Sequence, residues 1–85
     1  MTLREKLLDA VIDGQLGNGL VVTRQAFIHH FKEVTESYTG VFLANSEISQ
    51  DHSPTYEKFT QRLEVGVYRI HPQALLERMN ERKLA

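Results

Sequence analysis

Phe59-Thr60-Gln61-Arg62-Leu63-Glu64-Val65-Gly66-Val67-Tyr68-Arg69-Ile70 reads as two short strands joined by a tight turn, a β-hairpin that the rest of the chain has to cover. On the first arm Phe59 and Leu63 alternate with Thr60 and Arg62. On the second, Tyr68 and Ile70 alternate with Arg69, so each arm offers one apolar and one polar face. The centre, Glu64-Val65-Gly66, supplies a three-residue loop with a bulge, and Gly66 is the residue there that takes positive φ without steric cost. A two-stranded hairpin is marginal alone in water, so the helical segments before and after it must bury its apolar face.

Eighty-five residues, 41% of them hydrophobic, are enough for one domain with a small core. The absence of cysteine excludes a disulfide framework, a thiolate metal site and a thiol nucleophile, and fits a reducing cytoplasm. No apolar run is long enough to span a membrane and the first residues carry charge, so the expectation is a cytoplasmic protein with no membrane partner. Ten basic against eleven acidic residues give a net charge of -1, which counts against a domain that relies on neutralising phosphates.

Outward from the hairpin, the N-terminal segment opens on Thr2 and Glu5, the spacing of a capping box, so a helix starts at Thr2. Leu3, Leu7, Ala10 and Val11 line one stripe of it, and Leu8, Ile12 and Leu16 an adjacent one. Lys6, Asp9 and Asp13 are left as a narrow polar strip. An arc this wide is either wrapped on both sides by the chain's other helices or shared with a second copy. The second arrangement is a homodimer through Leu8, Ile12 and Leu16.

Asp13-Gly14 and Gly17-Asn18-Gly19 end that helix near Leu16, and Leu20-Val21-Val22 follows as a short strand able to pair with the hairpin. Thr23 is placed as the next N-cap, with Val22 and Phe27 as a hydrophobic staple. The second helix runs from Arg24 to Val34. It buries Phe27, Ile28, Phe31 and Val34, with His29 opposite them and His30 at the edge. Tyr38 to Ile48 has no clean period and is read as a short third helix. Ser49 to Pro54 is an exposed polar loop. After the hairpin, Pro72 takes the first position of a last helix reaching Lys83, with a stripe of Leu75, Leu76 and Met79 and with Arg78, Arg82 and Lys83 near its end.

Helix, short strand, helix, helix and hairpin is the order of a winged helix. Phe59, Arg62, Gly66, Tyr68, Arg69 and Ile70 resemble the F-x-x-R-x-x-x-G-x-Y-R-I ending of many small winged helix-turn-helix domains. The resemblance implies an α+β fold of three helices, a short strand, a two-stranded wing and a C-terminal helix. It also implies a third helix that enters the DNA major groove while the wing contacts the backbone. Those roles fall on Tyr38, Thr39, Asn45 and Ser46 in the third helix and on Arg62 and Arg69 in the wing, with Lys58 beside them. Thr39 to Ile48, however, holds Glu47 and no Lys or Arg.

Each candidate has a plainer alternative. Arg62 and Arg69 are a phosphate pair if they project from one side of the hairpin, and otherwise a solvated strand face paired to Glu57 or Glu64. Asn45 suits bidentate contact with adenine, and equally the end of the third helix. Ser49, Gln50, His52, Ser53 and Thr55 are adaptable polar groups in a loop. His29 and His30 stand about 100° apart on a helix and cannot chelate one metal as an i, i+4 pair does. His71 is a cap before Pro72. Asp51-His52-Ser53 is not a nucleophile architecture, and Gly14, Gly17 and Gly19 lack the lysine and hydroxyl of a phosphate loop. Neither enzymatic activity, a metal, a cofactor nor a small-molecule ligand is expected. Two readings follow: a dimeric DNA-binding transcriptional regulator, or an interaction module of the same fold that binds protein and not DNA.

Overall fold

The computed structural model describes residues 1–83. The first helix, α1 (Leu3–Ile12), is nucleated by the expected capping box: Glu5 N–H donates to Thr2 Oγ1 at 3.1 Å and Thr2 N–H donates to Glu5 Oε1 at 2.9 Å. It ends before Leu16. Asp13 is its C-cap, Gly14 turns at φ +73°, and the N–H groups of Gln15 and Leu16 both donate to the Ala10 carbonyl, at 2.8 and 3.2 Å. The chain therefore folds back under the last turn of α1 and carries Leu16 into the core.

Strand β1 (Val21–Thr23) runs into α2 (Arg24–His30), where Thr23 Oγ1 accepts the Ala26 N–H at 3.0 Å. Helix α2 is four residues shorter than expected. Phe31 leaves the helical region at φ -108°, ψ 40°, and its ring packs on Phe27 with centroids 5.0 Å apart. Phe27 is buried, whereas Ile28, Phe31 and Val34 are only half-buried.

Helix α3 (Glu36–Asn45) starts and stops earlier than Tyr38 and Ile48. Its end is set by pairing with the next strand. The Ser46 carbonyl accepts the N–H groups of Phe59 and Thr60, at 2.8 and 3.0 Å, and Ile48 N–H donates to the Thr60 carbonyl at 2.8 Å. Extending the helix through Ile48 would forfeit these bonds.

Strands β2 (Thr60–Glu64) and β3 (Val67–Ile70) form the hairpin, and β1 pairs antiparallel with β3. The result is one three-stranded antiparallel sheet in the order β1-β3-β2, in which the short first strand pairs with the hairpin. With four helices this is an α+β fold. Val65 and Gly66 make the turn, Gly66 at φ +73°, and Leu63 is absorbed as a bulge between Arg62 and Glu64. The register, with Thr60 opposite Ile70, corrects the alternation read from β2. Thr60 is fully buried, its hydroxyl donating to the Leu43 carbonyl at 2.8 Å, while Leu63 is exposed.

The core is built on Leu7, Leu8, Val22, Phe27, Leu43, Phe59 and Ile70, with Phe42 stacked on Phe27 at 5.6 Å. Leu8 and Leu16 are 0% and 6% exposed and Ile12 is half-buried. Two of the three residues expected to join copies, Leu8 and Leu16, are therefore covered by the chain itself, and Ile12 keeps part of its surface.

Helix α4 (Pro72–Glu81) is capped by His71, whose Nδ1 accepts the Gln73 N–H at 3.1 Å. It turns Ala74 inward and leaves Leu76 in solvent, against the stripe read from the sequence. Its contact with α1 is ionic. Arg78 meets Asp9, Glu5 and Glu81, and Arg82 meets Asp9 and Asp13. Hydrogen bonds from Arg78 hold the Asp9 carboxyl below its ordinary pKa, and the bond from the Thr2 backbone does the same for Glu5. Asp9 and Asp13 are therefore interhelical partners and not a solvated strip. Lys83 lies past the helix end at φ +60°. No helix among the described residues is long and apolar enough to cross a membrane.

Candidate functional site

Helix α3 and the segment leading into β2 enclose, with the start of α1, a cleft of about 360 Å³. Leu3, Val41, Phe42 and Phe59 give it apolar walls, and the half-exposed rings of Tyr38 and Tyr56 stand at its rim. The volume and the apolar lining with a few polar groups are those of a pocket for one large side chain or a small molecule.

Arg4 is a buried charged group of this cleft. It sits one turn before Leu7 and Leu8, inside the apolar arc of α1, and its side chain is 6% exposed. Its Nε donates to the Tyr56 carbonyl at 2.7 Å, and Nη2 meets Glu77 at 3.5 Å. The Tyr56 ring lies across the guanidinium, its centroid 3.8 Å from Cζ, with the Phe59 ring at 5.4 Å. Nη1 is buried without a hydrogen-bond partner among the described residues. A second cation, Lys58, also lines the cleft and donates from Nζ to the Asn45 carbonyl at the end of α3, where positive charge suits the helix dipole.

The seven residues expected to contact DNA do not form one surface. Tyr38, Asn45, Ser46 and Lys58 line the cleft. Thr39 and Ser46 are buried, at 1% and 5% exposure: the Thr39 hydroxyl donates to the Thr35 carbonyl at 3.4 Å, and Ser46 is the C-cap of α3. The sheet register separates the two arginines. Arg62 pairs with Tyr68 and Gln61 with Arg69, and successive side chains of a strand point to opposite faces. Arg62 therefore shares its face with Tyr68, and Arg69 lies on the other, where Nη1 donates to Gln61 Oε1 at 2.9 Å. Neither is in an ion pair among the described residues, so Glu57 and Glu64 are not their partners.

Ser49, Gln50, His52, Ser53 and Thr55 are exposed, and their contacts are local. His52 Nδ1 lies 2.9 Å from the Gln50 carbonyl, and Thr55 Oγ1 accepts the Lys58 N–H at 3.0 Å. Two functional-looking arginines escape a reading for exposed charge. Arg4 is one, and its signal is a cation within an apolar stripe. The other is Arg24, whose Nε donates to the Gly40 carbonyl at 2.8 Å and ties α2 to α3. Compared with known proteins, the chain matches no family model, no curated protein and no solved structure.

Proposed function

We propose that this chain is a winged-helix-type domain serving as a protein-interaction module, with the cleft beside α3 as its recognition surface. The element order and the β1-β3-β2 sheet support the winged-helix reading. The observation that carries the function is the character of the exposed side of α3. It offers Tyr38 and Val41, 50% and 47% exposed, over an apolar cleft, and no cation of its own. Phosphate contacts dominate affinity for DNA, and a third helix without Lys or Arg beside divided wing arginines is poorly made for them. An aromatic-rimmed cleft is instead suited to one anchoring side chain of a partner.

The test is selection of peptides from a displayed library on the folded domain, with Val41→Arg as the counter-target. The expected result is a convergent motif with one large apolar anchor that the variant no longer retains. Enrichment indifferent to Val41→Arg removes the cleft from the function. Binding of random duplex DNA at low salt, weakening steeply as salt rises, replaces this reading with the DNA-binding one.

A further inference from the structure

Arg4 supplies the observation. A buried guanidinium normally has its donors matched, and nearly all buried polar atoms in folded proteins find a partner. Here Nε is committed to a backbone carbonyl and Nη2 to a 3.5 Å contact with Glu77, which is itself 47% exposed. Nη1 has none. The charge is thus only partly neutralised at the edge of a cleft that, among the described residues, is lined by one other cation, Lys58, and one carboxylate, Glu57.

We propose that the cleft recognises a partner segment in which a carboxylate stands beside an aromatic or large aliphatic side chain. The side chain fills the space between Val41, Phe42 and Phe59, and the carboxylate accepts from Arg4 Nη1 as the Tyr56 ring turns aside. The inference rests on the reading of the cleft as a protein-recognition site and names what that site selects. The planar fork of an arginine matches the carboxylate geometrically. A volume of about 360 Å³ with apolar walls fits one large side chain and its charged neighbour better than a hydrated nucleotide. Tyr56 is the movable cover, since its ring is half-exposed and its carbonyl, held by Arg4 Nε, keeps the backbone in place when the ring rotates.

The test is a pair of probes that differ only in charge, N-acetylphenylalanine and its amide, titrated into the isotope-labelled domain at millimolar concentrations and followed by nuclear magnetic resonance. The expected result is that both shift the amide signals of Val41 and Phe42, with the acid binding at least about tenfold more tightly, the difference attributable to one charge-assisted hydrogen bond. The preference should shrink in salt and the acid alone should shift the Arg4 guanidinium resonances. Arg4→Gln should abolish the preference. Because Arg4 is buried and that variant can fail to fold, the guanidinium resonances of the parent protein give an independent readout, and Tyr56→Ala should strengthen acid binding. Equal binding of acid and amide in the cleft overturns the carboxylate inference and leaves the cleft as an apolar docking site. An acid response confined to Lys58 also overturns it. No shift with either probe removes both.

Discussion

Arg78 grips Asp9 with two hydrogen bonds, Nε to Oδ1 at 2.8 Å and Nη2 to Oδ2 at 3.0 Å, and this fork joins the last helix to the first. Arg82 reaches the same carboxylate at 3.2 Å, and Arg78 extends to Glu5 at 3.1 Å. Charges held in a network with fixed geometry contribute more than isolated surface pairs.

Acid should loosen this contact. The Asp9 carboxyl is depressed chiefly by its bonds from Arg78, and that of Glu5 chiefly by the Thr2 backbone N–H. A carboxyl whose folded pKa is depressed stabilises the fold above its unfolded value and loses that contribution as pH falls through the folded one. The melting temperature should therefore hold near neutrality and decline below about pH 4 to 5. Asp9→Asn should lower it at pH 7 and flatten the acid-side decline, and a decline as steep as the parent's would show that Asp9 is not its source.

The interior position of Leu8 leads to a second prediction. Leu8→Ala removes a fully buried side chain and should cost about 2–5 kcal/mol in a denaturant titration, with no change in sedimentation behaviour. A shift in sedimentation at unaltered stability would place Leu8 at an interface between copies.

Gly17 gives a third. It sits at φ +84°, and an added Cβ would lie 2.8 Å from the Val21 carbonyl oxygen, whereas one added at Gly14, at φ +73°, would meet nothing within 4 Å. Gly14→Ala should then cost about 1–2 kcal/mol for backbone strain alone. Gly17→Ala should cost clearly more, since the obstacle is backbone that shapes the entry to β1. Equal losses in chemical denaturation would mean that the β1 entry yields freely.

What the sequence makes legible here is chemistry that acts within a few residues. The Thr2–Glu5 box, the Thr23 cap, His71 before Pro72 and the turn glycine Gly66 are all where local rules put them. Misread features depend on partners far along the chain. Leu63 looks inward by alternation, but register is a property of two strands: Thr60 lies opposite Ile70 and takes the buried face, and Leu63 falls into the bulge beyond Arg62. Asp9 and Asp13 look solvated until Arg78 and Arg82, some 69 residues on, fold against them. The cleft follows the same logic. Tyr38, Asn45 and Lys58 are singled out by type, but Arg4, its central charge, is recognisable only as an anomaly in an apolar stripe.

The hairpin arginines provide the last prediction. Because Gln61 pairs with Arg69 and Arg62 with Tyr68, the two guanidinium groups leave opposite faces of the sheet, and no single phosphate strand lying along one face meets both. Their effects should be independent. Arg62→Ala and Arg69→Ala should each change stability by no more than about 0.5 kcal/mol, with Arg69 the more costly of the two because it alone donates to Gln61. The double variant should match the sum within about 0.5 kcal/mol. The same geometry governs any weak binding of duplex DNA at low salt: a backbone on one face loses a single contact, so the salt slope of the double variant should fall by about one unit. A fall of about two units, with strong coupling between the single variants, would require both side chains to converge on one surface and would overturn the face assignment drawn from the register.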